Sequence, residues 1–184
     1  MNTHLDAFLD VPGHLYPAEG YLLQKLFAGK RVLDIGTHHG RSAVAMAATA
    51  SHVTTLDWGK GDHQIGAPDA STALRCVQKS GLSDRIHMVT ADWTTWTPLT
   101  KGYYGFYTGI FYDAAHTSAN PYEADFLALM TVQPDILIAL HDYKPWDPSM
   151  QEAVQAIDNF AAVTGRIRLG PEPGTSVVWF LPQH

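Results

Sequence analysis

A turn framed by two glycines follows an apolar run near the start of the chain. The run RVLDI ends at Gly36, and Gly40 follows four residues later, just before a segment of small helix-forming residues. Glycine has no Cβ, so the backbone of such a turn can lie directly against a bound molecule. Asp57 ends the next apolar run, 21 residues after Gly36. A carboxylate at this point can accept hydrogen bonds from both ribose hydroxyls, so the pair predicts a ligand that contains adenosine.

The residue at the centre of this turn argues against a dinucleotide. His38 stands where the fingerprint G-x-G-x-x-G has its middle glycine, and a side chain there obstructs a pyrophosphate. A nicotinamide-dependent oxidoreductase is therefore disfavoured. A plain strand–turn–helix with a capping glycine and no ligand remains open from these residues alone.

Acids and histidines follow two later apolar runs. Asp113 and His116 come after the fourth predicted strand, and His141 and Asp142 come after the fifth. Because parallel strands end at the same edge of a sheet, we expect these side chains to lie beside the glycine turn. Carboxylates and imidazoles suit a divalent cation, which can lower the pKa of a substrate hydroxyl, and a histidine can accept the proton. As structural alternatives, Asp113 caps the following turn and His141 forms a hydrogen bond with the backbone.

Alternating strands and helices must position these residues. The predicted strands are Arg31–Ile35, His52–Leu56, Ile86–Thr90, Tyr107–Tyr112, Asp135–Leu140, Arg166–Leu169 and Ser176–Leu181, and the predicted helices are Arg41–Thr49, Ser71–Lys79, Tyr122–Met130 and Pro148–Val163. This alternation predicts an α/β fold with one doubly wound, Rossmann-like sheet of about seven strands, mostly parallel. The last two strands are too close for a helical crossover, so the final strand must be antiparallel. We also expect strands four and five to neighbour strand one.

Length and composition limit the class of protein. The 184 residues predict a single domain spanning 1–184, with a leading helical segment at 1–28 packed on it. A hydrophobic content of 46% excludes a disordered chain, and a net charge of −6 without any basic run disfavours nucleic acid as a partner. The apolar runs are too short for a membrane span, the first residues do not resemble a secretory signal, and Cys76 is alone. We therefore expect a cytoplasmic protein that does not bind membranes.

The glycine turn and its surroundings resemble a known family. The segment VLDIGTHHGRS, residues 32–42, resembles motif I of class I S-adenosylmethionine-dependent methyltransferases, in the form found in the small cation-dependent O-methyltransferases. The run from His141 to Tyr143 is similar to the His-Asp-Tyr of the bacterial branch called the methyltransferase-24 family, and Pro17–Leu23 is similar to the helix that precedes motif I there. The resemblance covers roughly residues 15–181 and includes the antiparallel last strand.

The resemblance implies S-adenosylmethionine as cofactor and a set of residues that hold it. The implied cofactor-binding residues are Asp34, Gly36, Thr37, His38, Gly40, Ser42, Asp57, Trp58, Asp92 and Trp93. It also implies Mg²⁺ or another divalent cation on Asp113 and Asp142, with His141 as a third ligand. The implied catalytic residues are Asp113 and His116, which would accept the proton. Ala115 replaces an acid that is common in the family, so one metal ligand is missing.

The function implied is methylation of an oxygen on a small-molecule acceptor. Two alternatives stay open: a non-catalytic module that binds S-adenosylmethionine or a nucleotide, and another reaction on the same cofactor. The tryptophans that follow the predicted strand ends, Trp58, Trp93, Trp96 and Trp146, favour a planar or sugar-like acceptor but do not name it. Apolar residues among the first 25 positions leave a homodimer open.

Overall fold

The computed structural model describes residues 4–59, 68–92, 106–114 and 136–182 of the chain. The α-helices are α1 (Pro17–Leu26), α2 (Arg41–Ala47), α3 (Ala70–Lys79) and α4 (Gln151–Thr164), and single 3₁₀ turns lie at Ala7–Asp10, Ser83–Arg85 and Pro148–Met150. The strands are β1 (Arg31–Ile35), β2 (His52–Asp57), β3 (Ile86–Thr90), β4 (Gly109–Tyr112), β5 (Leu137–Leu140), β6 (Arg168–Leu169) and β7 (Val178–Phe180). The predicted helix Tyr122–Met130 lies outside the described residues.

All seven strands form one sheet in the order β3-β2-β1-β4-β5-β7-β6. The five strands from β3 to β5 are parallel, and β7 is antiparallel to both of its neighbours. The predicted Rossmann-like α/β class is confirmed, and so is the antiparallel last strand. The expectation that strand five neighbours strand one is wrong. A strand has only two edges, and β2 and β4 occupy both edges of β1.

Each face of the sheet carries its own apolar core. Leu23 of α1 and Val44 of α2 are fully buried on one face. Ile157 and Phe160 of α4 are buried on the other face, where Phe160 meets the ring of Phe180 in β7 at 4.9 Å between centroids. Burial of each such side chain contributes about 1.5–3 kcal/mol, so the helices hold the strand ends in a fixed arrangement.

The strand β6 begins two residues later than the sequence predicts. The backbone amide of Arg166 donates to the hydroxyl of Thr164 instead of pairing along the sheet. Its buried guanidinium donates to the carbonyl oxygens of Leu181 and Ile136, at 2.7 and 2.5 Å. These bonds connect Arg166 to the residue before β5 and to the residue after β7, and Arg166 lies outside the strand.

The leading segment packs on the same face as α2. Pro17 occupies the first turn of α1, where its missing N–H costs nothing, and the amide of Tyr16 donates to the carboxylate of Glu19 at 2.9 Å. Phe8 is fully buried. Within residues 4–28 the leading segment contains one α-helix and one 3₁₀ turn. Among the described residues, no helix is long and apolar enough to cross a membrane.

Candidate functional site

The glycine turn lies directly beneath the end of β4. Gly36 has φ +103°, and a Cβ built on it would lie 2.1 Å from the carbonyl oxygen of Asp113. Gly40 has φ +87° at the start of α2, and a Cβ there would lie 2.8 Å from a methyl of Val77. Only glycine fits at position 36, because residues with a side chain rarely adopt this φ and no space exists for a Cβ. The contact brings the glycine turn against the backbone carbonyl of Asp113.

Asp57 closes the same turn from the end of β2. Its Oδ2 accepts hydrogen bonds from the amides of Thr37 and His38, at 3.0 and 3.1 Å, and its Oδ1 accepts one from Gly59 at 3.0 Å. The side chain is only partly buried. A carboxylate oxygen can accept two bonds, so the group can fix the turn and still receive a ligand hydroxyl.

Asp34 lies beneath the turn and has no solvent exposure. Its carboxylate accepts from the hydroxyl of Thr55 at 2.8 Å and from that of Ser42 at 3.1 Å, and the hydroxyls of Thr55 and Thr37 are 2.7 Å apart. Burial raises the pKa of Asp34 to about 8, although these hydroxyl contacts act in the opposite direction. Asp34 and Ser42 are therefore placed as supports of the turn.

A group of three histidine rings flanks the turn. His38 has φ +47°, and its ring lies 4.5 Å from that of His39 and 5.6 Å from that of His14 in the leading segment. Burial and the neighbouring histidines His39 and His14 lower the pKa of His38. Arg41 holds the leading segment here by donating to the carbonyl oxygen of Val11 at 3.0 Å. The leading segment thus covers one side of the turn.

Two other predicted cofactor-binding residues follow the ends of strands β2 and β3. Trp58 is 54% exposed directly after β2, and Asp92 is exposed after β3. Both follow the carboxyl ends of strands on the side of the sheet where Asp57 lies. Trp93 and the predicted base His116 lie outside the described residues, as do Trp96 and Ala115. Trp146 is 67% exposed after β5.

The predicted metal ligands meet in one cluster. The Nδ1 atom of His141 lies 3.0 Å from Oδ1 of Asp113 and 3.2 Å from Oδ1 of Asp142. One ligand atom from each of the three residues lies within 4.8 Å of the others. Asp142 has φ +64°, a left-handed conformation that residues other than glycine adopt only occasionally. Burial works against a charge on His141, but the Asp113 carboxylate and the contacts with Asp142 and Glu19 raise its pKa well above the usual value.

Two residues that the sequence did not single out complete this cluster. Glu19 of α1 is fully buried with Oε2 3.2 Å from Nε2 of His141, and Nζ of Lys144 lies 2.5 Å from Oδ1 of Asp142. Burial raises the pKa of Glu19, but His141 and the Tyr16 amide outweigh it and lower the pKa to about 2. At the sequence level Glu19 resembles a residue that caps α1 at its third position. That signal cannot reveal a partner 122 residues away.

The cluster fits a divalent cation. Among the residues that the structure describes, Nδ1 of His141 is buried and makes no contact with hydrogen-bond geometry. Ligands at about 2.1 Å from an octahedral ion are about 3.0 Å apart along each edge, which is close to the spacing of this nitrogen from the two carboxylates. Two carboxylates with one imidazole are a donor set for Mn²⁺ or a similar transition metal as much as for Mg²⁺.

Comparison with known proteins places this site in a family. Residues 33–143 match the methyltransferase domain of the methyltransferase-24 family, a span that begins in β1 and ends just after Asp142. A comparison with curated protein sequences finds no significant match. The family match covers both the glycine turn and the acid–histidine cluster.

Solved structures share the fold across nearly the whole chain. A cofactor-bound protein from MTB has a TM-score of 0.66 at 20% identity, over 97% of this chain and 87% of that one. The O-methyltransferase from Bacillus cereus, in complex with SAH, has a TM-score of 0.64 at 19% identity, over 98% and 88%. The O-methyltransferase TomG from Streptomyces achromogenes, in complex with SAM, has a TM-score of 0.61 at 18% identity, over 99% and 88%. The chain belongs to the methyltransferase-24 family of class I S-adenosylmethionine-dependent methyltransferases.

Proposed function

We propose that this methyltransferase transfers the methyl group of S-adenosylmethionine to an oxygen of a small-molecule acceptor, with a divalent cation at the acceptor site. The observation that carries the proposal is the contact between Gly36 and Asp113. It joins a turn suited to an adenosine-containing cofactor to a cluster suited to a cation. The similar structures named as O-methyltransferases support transfer to oxygen.

The turn and the ends of β2 and β3 would hold the cofactor. Asp57 would accept hydrogen bonds from the ribose hydroxyls while it fixes the amides of Thr37 and His38. Asp92 and Trp58, after neighbouring strands, would meet the adenine, and Trp93 would join them. When bound, S-adenosylmethionine supplies an electrophilic methyl group on a positively charged sulfur.

Asp113, His141 and Asp142 would hold the cation and so define where the acceptor binds. A bound divalent cation lowers the pKa of a hydroxyl that coordinates it. His116, which follows Asp113 by three residues in the sequence, would accept the proton. Much of the rate gain in such a transfer comes from holding the acceptor oxygen and the methyl carbon in line at about 3 Å. The chain contributes that alignment by fixing both sites on adjacent strands.

A methyltransferase or sensor that works without a cation is the second candidate. Lys144 already places an ammonium on Asp142, and an imidazole lies between the two aspartates. Together they offset most of the charge of the carboxylates without a metal.

Ligand binding separates these candidates. We would follow thermal unfolding with S-adenosylmethionine, S-adenosylhomocysteine or NAD⁺, each in Mg²⁺, Mn²⁺ or EDTA. A ligand at about 100 times its Kd adds about 2.7 kcal/mol, which raises the Tm by several degrees. Shifts with both sulfur compounds and none with NAD⁺ support the cofactor site. A further cation-dependent shift supports the metal, and no shift with either sulfur compound contradicts the proposal.

Turnover tests the catalytic residues once an acceptor is found by screening catechols, phenols and sugars. Asp113→Ala and His116→Ala are expected to keep affinity for S-adenosylhomocysteine and to lose methyl transfer. Full activity in both variants would show that the catalytic assignment is wrong.

A further inference from the structure

Glu19 makes far more contacts than a capping residue needs. Its Oε2 accepts from the amide of Tyr16 at 2.9 Å and lies 3.2 Å from Nε2 of His141. Its Oε1 accepts from both the amide and the hydroxyl of Ser176, each at 2.7 Å. Capping of α1 requires only the contact with Tyr16. The other three lead to residues that follow β5 and precede β7.

Because Glu19 is completely buried, these contacts have to compensate the charge of its carboxylate. Glu19 has no exposed surface, and an uncompensated buried charge costs several kcal/mol. A shorter or neutral residue would cap α1 without that cost. The carboxylate is therefore suited to a second role in its contact with the imidazole ring of His141, which belongs to the cation cluster.

The two nitrogens of His141 face different groups. Nε2 faces Glu19 and lies 3.3 Å from the hydroxyl of Ser176, whereas Nδ1 faces Asp113 and Asp142. An ionised carboxylate can only accept a hydrogen bond, so the contact with Glu19 requires a proton on Nε2. A ring that keeps the proton on Nε2 and releases the one on Nδ1 presents the lone pair of Nδ1 to the cation site. Metal-ligating histidines commonly have such a partner on the second nitrogen.

We infer that Glu19 is a positioning residue that fixes the ring of His141 through Nε2, so that Nδ1 faces the cation site, and that ties this ring to α1 and to Ser176. The inference rests on the cation site of the proposed function. It makes the leading helix part of the acceptor site, although α1 contributes no cation ligand itself.

The substitution Glu19→Gln tests this with little change of shape. The carboxylate oxygen Oε2 accepts from the backbone amide of Tyr16, and Oε1 accepts from the backbone amide of Ser176. A carboxamide must turn its NH₂ toward one of these faces and cannot keep both. If NH₂ faces His141, it donates to Nε2 and moves the ring proton to Nδ1. Gln24→Ala is the matched control, because Gln24 is also buried on α1 and donates to the carbonyl of Leu5 at 2.6 Å, without contact to His141.

Calorimetric titration with Mn²⁺ and with S-adenosylhomocysteine provides the first measurement. Loss of such a supporting carboxylate typically lowers metal affinity 10–100-fold, so we expect that loss for Mn²⁺ in Glu19→Gln. We expect less than about a threefold change for S-adenosylhomocysteine, and less than that for both ligands in Gln24→Ala. Unchanged Mn²⁺ affinity in both Glu19→Gln and Glu19→Ala, which removes the acceptor for Nε2 altogether, overturns the inference. So does a parallel loss of both ligands in both variants, which would show general loosening of α1.

Nitrogen-15 NMR of the imidazole rings provides the second measurement. It can be made on the wild type, and the spectra of Glu19→Gln can be recorded without metal. In the wild type we expect a protonated Nε2 on His141, and addition of Zn²⁺ should shift Nδ1. A shift of Nε2 by Zn²⁺ overturns the inference. If the wild type binds S-adenosylhomocysteine but no cation, the proposed cation site fails. The metal-free spectra then decide about Glu19: an Nε2 proton that is lost in Glu19→Gln supports the positioning role, and an unchanged spectrum overturns it.

Discussion

The carbonyl oxygen of Asp113 occupies the place where a side chain at Gly36 would begin. A Cβ there would lie 2.1 Å from this oxygen, at a φ of +103° that side chains rarely adopt. Gly36→Ala therefore has to displace the end of β4. We expect it to reduce the free energy of unfolding by more than about 4 kcal/mol, or to prevent folding, as measured by urea unfolding.

Gly29→Ala is the control for this substitution. Gly29 also has a positive φ, +71°, but nothing lies within 4 Å of a Cβ built on it. The strain of the left-handed conformation alone costs about 1–2 kcal/mol, which lowers the Tm by about 2–8 °C in a chain of this size. Equal destabilisation by the two substitutions would contradict the close approach of Asp113 to the turn.

The Gly36–Asp113 approach was predictable because it depends on local signals. β-branched and apolar runs bounded by glycines and acids mark the parallel strands, and parallel strands present their ends at one edge. β1 and β3 have the predicted bounds. The start of β6 differs from the prediction, and Arg166 there bonds to distant carbonyl groups, which no local pattern encodes.

The support of the acid–histidine cluster could not be predicted for the same reason. Glu19 is 122 residues from His141 and 157 residues from Ser176, and its local sequence suggests only a helix cap. The contact of Lys144 with Asp142 depends on the left-handed backbone at Asp142, which is unusual for a residue other than glycine. Long-range burial decides the contacts of Glu19, whereas the contact of Lys144 is local but accompanies an uncommon backbone conformation.

Removal of the charge on Asp57 should weaken cofactor binding. An asparagine must direct its NH₂ group toward the amides of Thr37 and His38 or toward that of Gly59, where donors already point. We expect Asp57→Asn to lower the affinity for S-adenosylhomocysteine at least about tenfold, which corresponds to about 1.4 kcal/mol, in a calorimetric titration.

Asp69→Asn provides the matched control for Asp57. Its carboxylate also accepts a backbone amide, that of Thr72 at 2.8 Å, but it caps α3 at an exposed position. Asp69→Asn should leave the affinity for S-adenosylhomocysteine within about twofold of the wild type, since capping contributes only about 1 kcal/mol to stability. If Asp57→Asn binds as well as Asp69→Asn, Asp57 is not a cofactor ligand.

The buried Asp34 should make stability depend on pH. Its folded pKa, raised by burial to about 8, exceeds the ordinary value of 3.8. In this interval the folded state holds a proton that the unfolded state releases. The stabilisation is therefore complete below pH 4 and is lost as the pH rises toward 8, by at most about 1.4 kcal/mol per pH unit. Asp34→Asn lacks this loss, so its stability relative to the wild type should rise between pH 5 and 8.

Thermal unfolding across this pH range measures the effect. Asp84→Asn, at an exposed position in the 3₁₀ turn before β3, should run parallel to the wild type. A constant difference between Asp34→Asn and the wild type from pH 5 to 8 would show that Asp34 is ionised in the folded protein over the whole range.

Lys144 should oppose cation binding, because its Nζ lies 2.5 Å from the carboxylate oxygen of Asp142 that faces His141. A cation that uses this oxygen has to displace the ammonium or share the oxygen with a like charge. We expect Lys144→Gln to raise the affinity for Mn²⁺ several-fold in a calorimetric titration. Lys25→Gln is the control, since Lys25 pairs with Glu172 at 3.7 Å on the surface. A lower Mn²⁺ affinity in Lys144→Gln alone would mean that Lys144 holds Asp142 in its binding orientation, and the ammonium would then be a support of the cation site rather than its competitor.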